Sequence, residues 1–359
     1  MFGWLAKPVT LISTIALSSL SLLSKRYQRV RYGYHLLIYV STLGALSIWG
    51  VVVSVLASVT GQRLNINYYV ARSFYNVCSP LINIRFIVEG EEHLTGLLRG
   101  GTDGQGQSAV LVGNHQSFLD ILYLGRIFPR HASIMAKKEL KWAPLLGQYL
   151  ALSGAVFVDR KNRDAARLAL EQAGDNMKKR QISLWVFPEG TRTLSAEPTL
   201  KTFKKGAFHL AIQAKVPVVP VVCENYHRLF DGKSRLDEGV LRIRVLPAIT
   251  TEGMGPDDVS ALTQSTREKM VATLREISAP GPLGRGPARD VPPLEKLPSE
   301  QQLGQPTEGR RRSSDDGSVA DSQNGDSRNR EEGQWDSTTE DEMDDDAVLL
   351  KKPTGSVNV

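Results

Sequence analysis

His115 and Asp120 stand five residues apart in Asn114-His115-Gln116-Ser117-Phe118-Leu119-Asp120, directly after the apolar run Val110 to Val112. On one regular helix, residues five apart point about 140° away from each other. With the histidine in a strand-to-helix turn and the aspartate in the first helical turn, the carboxylate instead reaches the imidazole N–H. That pairing fixes the tautomer and raises the basicity of the other ring nitrogen, which is the general-base half of a triad. No serine or cysteine nucleophile is needed where the substrate brings its own hydroxyl. The same residues also carry a reading without catalysis, because Ser117 followed by Asp120 three residues on is a helix capping box.

Three further segments follow. Gly154-Ala155-Val156-Phe157-Val158-Asp159-Arg160 ends an apolar strand in a charged pair, and Arg160 emerges where a guanidinium can fork a phosphate. A plain surface arginine fits the same position. Phe187-Pro188-Glu189-Gly190-Thr191-Arg192 closes the strand Ile182 to Val186 with a tight turn whose backbone N–H groups suit an anion. A simple turn explains the proline and glycine less readily when an acid and a base stand beside them. Val216-Pro217-Val218-Val219-Pro220-Val221-Val222 is an apolar strand interrupted twice by proline, which predicts an edge or bulged strand, open to an apolar groove.

These segments need a scaffold that delivers strand ends to one place. From Ile84 onward, short apolar runs alternate with amphipathic stretches, the pattern of an α/β domain. The runs predict strands over 84–89, 108–113, 132–136, 155–158, 182–187, 216–222 and 241–246, with helices over 118–127, 144–153, 163–179, 203–214 and 257–277. The glycine-rich stretch 100–107 reads as a loop.

Composition bounds the rest. The 359 residues fit one domain of two hundred-odd residues with appendages. Residues 280–359 carry 10 Lys+Arg against 17 Asp+Glu, which leaves the first 279 with 34 against 21, a net +13. A basic folded part suits phosphate or anionic lipid. A nucleic-acid partner is not expected, because the one basic run interleaved with aromatics, Lys25 to Arg31, sits between two hydrophobic segments. Those segments, Pro8 to Ser24 and Leu36 to Val59, are 17 and 24 residues without a charge, and the second is long enough to cross a bilayer. They predict a membrane-anchoring helical hairpin over 1–62, followed by a catalytic domain over 63–278. Whether both helices span or the pair lies shallow is open, as is the face of the membrane that carries His115. The mixed stretch Tyr69 to Val88 reads either as an interfacial segment or as a covering helix plus an entry strand. Residues 279–359, rich in Pro, Gly, Ser and acids, read as a disordered acidic tail. Within it Arg310-Arg311-Arg312-Ser313-Ser314 has the form of a base-directed kinase site. Cys78 and Cys223 are too few for a disulfide scaffold and read as buried small hydrophobes.

In their order and spacing the four segments resemble the glycerolipid acyltransferase family, and most closely its 1-acyl-sn-glycerol-3-phosphate (lysophosphatidic acid) acyltransferases. The resemblance covers roughly residues 65 to 277 and the hydrophobic N-terminus. Its most specific part is the pair Asn-His-x-x-x-x-Asp and Phe-Pro-Glu-Gly-Thr-Arg. It implies a mixed sheet flanked by helices, with His115 as general base toward the sn-2 hydroxyl of a lysophospholipid and Asp120 orienting it. Lys137, Arg160, Glu189, Gly190, Thr191 and Arg192 would bind the acceptor, although spacing alone does not separate Lys137 from Lys138, and Glu189 would serve chiefly to hold Arg192. The resemblance further implies acyl-CoA as co-substrate with no other cofactor and no metal. It places the chain in a membrane, that of the endoplasmic reticulum with lipid droplets as a second site. A glycerol 3-phosphate or other lysophospholipid acceptor, and a non-catalytic lipid-binding scaffold, are the competing readings.

Overall fold

The computed structural model describes residues 15, 18–94, 108–159 and 161–278. Arg160, the stretch 100–107, most of the first apolar run and the tail with Ser313 and Ser314 lie outside the described residues.

The strands are β1 (Ile84–Glu89), β2 (Val110–Gly113), β3 (Ala132–Lys137), β4 (Val156–Val158), β5 (Ser183–Val186), β6 (Val218–Cys223) and β7 (Gly239–Val245). Among the described residues they form one mixed sheet in the order β1-β7-β6-β2-β5-β3-β4. Neighbours are parallel throughout, except β6 with β7. The helices are α1 (Gln28–Val59), α2 (Ile66–Ile82), α3 (Asp120–Ile127), α4 (Leu146–Leu152), α5 (Arg163–Arg180), α6 (Gly206–Ala214) and α7 (Val259–Ser278).

Strand residues alternate between two cores, as a two-residue period requires. Leu111, Val219, Val221 and Ile243 pack with Tyr39, Phe74 and Leu122 of α1, α2 and α3. Val110, Val112, Val218 and Val222 pack with Met177, Phe208 and Met270 of α5, α6 and α7. Both faces of the central strands are covered, which is why these strands read as continuous apolar runs. Cys78 and Cys223 are buried thiols within the first core.

Because β2, β3, β4, β5 and β6 all run parallel, their carboxyl ends lie along one edge of the sheet. That edge is where open α/β sheets hold ligands. The topology therefore delivers the histidine segment, the Phe187–Arg192 turn, Lys137 and the exit of β4 to the same rim.

β6 corrects the edge position that its prolines suggested. It is a central strand between β7 and β2. Pro217 precedes the strand, and Pro220 shares the direction of Val218, whose N–H donates to Ile249. The pairing of β6 with β7 begins only at Val221 with Val245, and the isolated bridge from Val218 reaches Ile249. The missing donor of Pro220 thus falls where the partner chain leaves the ladder between Leu246 and Ile249, and no ladder bond is lost.

The long apolar helix α1 pairs with α2. Val53 and Ala57 pack on Ile66 and Val70, and Tyr39 packs on Phe74, an antiparallel hairpin joined through Thr60 to Asn65. The mixed stretch after Tyr69 is therefore a covering helix followed by β1. Ahead of α1, one extended residue, Tyr27, separates it from a helical run over 18–26.

Candidate active site

β2 exits into the rim at Gly113. A side chain there would meet Trp185 Cζ2 at 2.6 Å and the Tyr123 hydroxyl at 2.9 Å, so glycine lets the indole close under the strand end. Two amide side chains then fasten this exit to the end of β6. Asn114 donates to the Cys223 carbonyl at 2.9 Å and accepts from the Cys223 N–H at 2.8 Å. Gln116 donates to the Glu224 carbonyl at 2.9 Å and accepts from the Tyr226 N–H at 3.2 Å. Buried amides with both ends satisfied hold a loop as firmly as a ladder does.

Between these anchors, His115 Nδ1 lies 2.7 Å from Asp120 Oδ2. The Asp120 side chain is 2% exposed and that of His115 20%. Oδ2 also accepts the N–H groups of Gln116 at 2.7 Å and Ser117 at 3.2 Å, while Oδ1 accepts the Tyr226 hydroxyl at 2.7 Å. A carboxylate with this many donors is an acceptor toward the imidazole, so the Nδ1 proton points at Asp120 and the Nε2 lone pair is left for a substrate. The capping and catalytic readings of the sequence are realised by one carboxylate: Asp120 closes the turn over Gln116 and Ser117 and orients the ring. Phe187 stacks on the imidazole at 4.2 Å between centroids and 18° between planes, fixing its second degree of freedom. A phenyl face also favours the imidazolium when a proton arrives.

The turn after β5 is stitched to the same histidine. Glu189, 3% exposed, accepts the His115 N–H on Oε1 at 2.8 Å, and on Oε2 the Thr193 hydroxyl at 2.7 Å and the Lys201 N–H at 3.0 Å. The Thr193 N–H returns a bond to the His115 carbonyl at 2.8 Å. Burial pushes the Glu189 carboxyl above its usual range, opposed by its three donors. Gly190 takes φ +72°, a left-handed conformation that favours glycine, with the Lys204 side chain lying against it. Arg192 is exposed and Thr191 half-buried at the rim.

Lys137 ends β3, half-buried and in register with Val158 at the end of β4. Lys138 is exposed and pairs with Asp159 at 3.0 Å. Arg160 follows that aspartate and lies outside the described residues.

A family model described as Acyltransferase matches residues 85–224. A Saccharomyces cerevisiae protein named 1-acyl-sn-glycerol-3-phosphate acyltransferase is 39% identical over 250 residues, 69% of this chain and 79% of the relative. The chain belongs to the 1-acyl-sn-glycerol-3-phosphate acyltransferase family. A human relative named as the alpha form of that enzyme is 39% identical over 202 residues, 56% of this chain and 68% of its own. In fold, the chain is similar to the crystal structure of the Thermotoga maritima LPA acyltransferase PlsC, with a TM-score of 0.57 at 22% identity, over 70% of this chain and 98% of that one.

Sequence reading of this acyltransferase missed Asn114, Gln116 and Tyr226. The available signal was the alternation of amides with His115 at the mouth of an otherwise apolar strand, where side chains facing protein must find partners. Nothing in the spacing announced Tyr226, which arrives from the segment after β6.

Proposed function

We propose that this acyltransferase moves an acyl group from acyl-CoA to the sn-2 hydroxyl of 1-acyl-sn-glycerol 3-phosphate, giving phosphatidic acid and free CoA. The observation that carries the reading is the 2.7 Å bond from His115 Nδ1 to a buried Asp120 whose other donors hold it as an acceptor. His115 Nε2 takes the hydroxyl proton as the oxygen attacks the thioester carbonyl. The tetrahedral intermediate then expels the CoA thiolate, which recovers that proton from the imidazolium. No acyl-enzyme forms, and Asp120 with the Phe187 face stabilises the transient positive ring.

The acceptor phosphate is assigned to the rim beside the histidine, where Gly190, Thr191 and Arg192 stand, with Lys137 at the end of β3 and, from the sequence alone, Arg160. Arg192 offers a planar fork and Gly190 a close backbone approach. Glu189 is assigned a structural part, because both of its oxygens face protein donors. The test is labelled acyl-CoA offered with lysophosphatidate and glycerol 3-phosphate in parallel. Phosphatidate from the first and no product from the second is the expected result; turnover of glycerol 3-phosphate, or of neither, would overturn this choice of acceptor.

The chain is assigned to a membrane, that of the endoplasmic reticulum, with its anchor lying along the surface. α1 is long and apolar enough to cross a bilayer. Yet its buried residues, His35, Tyr39, Gly50, Val53 and Ala57, form one stripe against the domain, running about 33 Å along its axis. The opposite face exposes Leu37, Val40, Val52, Val55 and Val59. A helix fastened to its domain along this length fits an in-plane position with the outer face in lipid. Single cysteines at Gly33 and Gln62 are expected to react with a membrane-impermeant thiol reagent from the same side; reaction from opposite sides would establish a crossing.

A further inference from the structure

Asp120 has two oxygens, and the histidine uses one. On Oδ1 the bond comes from Tyr226, which is 1% exposed and reaches in from the segment after β6. An ionised carboxylate only accepts, so the phenol proton lies toward Asp120. The Tyr226 oxygen is also 2.8 Å from Ser117 Oγ, and with its own proton committed it must accept there. The polarity is therefore fixed from Ser117 O–H to Tyr226 O–H to Asp120. Ser117 Oγ in turn accepts the Leu119 N–H at 3.1 Å, and the Tyr226 backbone is held by Gln116.

We propose that Tyr226, backed by Ser117, is a positioning residue that sets the proton affinity of His115 through Asp120. The inference rests on the general-base reading of His115. A hydroxyl on Oδ1 draws charge from the carboxylate and so weakens its hold on the imidazolium; it also stops the carboxylate turning away from Nδ1. Without it Asp120 is a stronger acceptor, the imidazolium is favoured, and the base is protonated over more of the pH range.

The groups facing this pair are few. Tyr39 approaches from α1, Tyr123 from α3, Cys223 and Glu224 from the end of β6, and Glu189 and Arg192 from the turn after β5. Burial pushes the Tyr123 and Tyr226 phenols and the Cys223 thiol well above their ordinary values, and Asp120 adds to each shift. They stay neutral through the working range, and Tyr226 stays a donor. Glu189 is raised by burial but is the same in every variant below, so a difference between variants does not come from it.

The experiment compares the wild-type chain with Tyr226→Phe and Ser117→Ala across pH. For Tyr226→Phe, kcat is expected to fall about 10- to 100-fold with little change in the acceptor KM. The acid limb of kcat/KM should move up by about one pH unit. Ser117→Ala, which removes only the outer donor, should move the limb the same way by less. A lower kcat with an unmoved limb would reduce Tyr226 to a packing role and overturn the proposal, as would wild-type behaviour in Tyr226→Phe. The pH dependence of His115 modification by diethylpyrocarbonate, corrected with His115→Gln, reads the same proton affinity without turnover. A wild-type chain inactive on lysophosphatidate therefore sinks the functional assignment, whereas an unshifted modification curve in Tyr226→Phe sinks this one.

Discussion

His115→Ala is expected to lower phosphatidate formation by about 10²- to 10⁴-fold while the chain remains folded. The ring is partly exposed, stacks on Phe187 and meets Asp120 at one edge, so its removal opens the rim without hollowing either core. The backbone N–H and carbonyl of residue 115 keep their bonds to Glu189 and Thr193, which hold the turn in place. Asp120→Asn should produce a loss of similar size by a different route. Its amide oxygen can still accept from the Gln116 and Ser117 N–H groups, and its NH₂ can face Tyr226, so the loop survives. What disappears is the negative charge that stabilises the imidazolium. Since the two residues act as one unit, the double variant should be scarcely worse than either single one. Fully additive losses in labelled acyl transfer would show that Asp120 works independently of the histidine.

Glu189 offers the second large effect, and the choice of substitution separates its parts. Glu189→Ala leaves the His115 and Lys201 N–H groups and the Thr193 hydroxyl without their buried acceptor, at about 1–3 kcal/mol for each such group. The expected outcome is a thermal midpoint lower by roughly 10 °C, with activity lost alongside it. Glu189→Gln is gentler. One amide oxygen best serves the pair of donors at Oε2, which turns the NH₂ toward the His115 N–H and pushes the histidine backbone out of place. Displacement of that scale costs about 10²-fold in turnover. A near-normal midpoint with a strongly reduced kcat would match this account; full activity in Glu189→Gln would show that the charge and the acceptor facing the His115 N–H are dispensable.

Much of the scaffold was legible because its signals are local. Strands covered on both faces read as unbroken apolar runs, and each sequence-predicted strand and helix after Ile84 is present, with ends shifted by up to three residues. The pairing of His115 with Asp120 was legible for a related reason, since a strand end and a first helical turn have a known reach. Other features depend on where distant segments meet. The two prolines of β6 argued for an edge or a bulged strand; the strand is central, and the irregular pairing where the partner chain leaves the ladder after Val245 makes Pro220 tolerable there. Glu189 stood beside Arg192 in sequence, which suggested a partnership between them. The turn instead aims the glutamate inward at the His115 backbone. Sequence adjacency says nothing about which way a turn presents each side chain, and Tyr226, brought to Asp120 from the segment after β6, illustrates the same limit.

The two bonds between the His115 backbone and the loop after β5 have a consequence for regiochemistry. With its N–H held by Glu189 and its carbonyl by Thr193, the histidine belongs to the same rigid piece as Gly190 and Arg192. With the acceptor phosphate seated at this turn as proposed, its reach to His115 Nε2 is set by those two hydrogen bonds, and does not vary with the drift of one loop past another. Such a piece works as a fixed gauge: a glycerol backbone seated by its phosphate presents one carbon's hydroxyl to Nε2, and the neighbouring carbon, a bond length nearer or farther, falls off the mark.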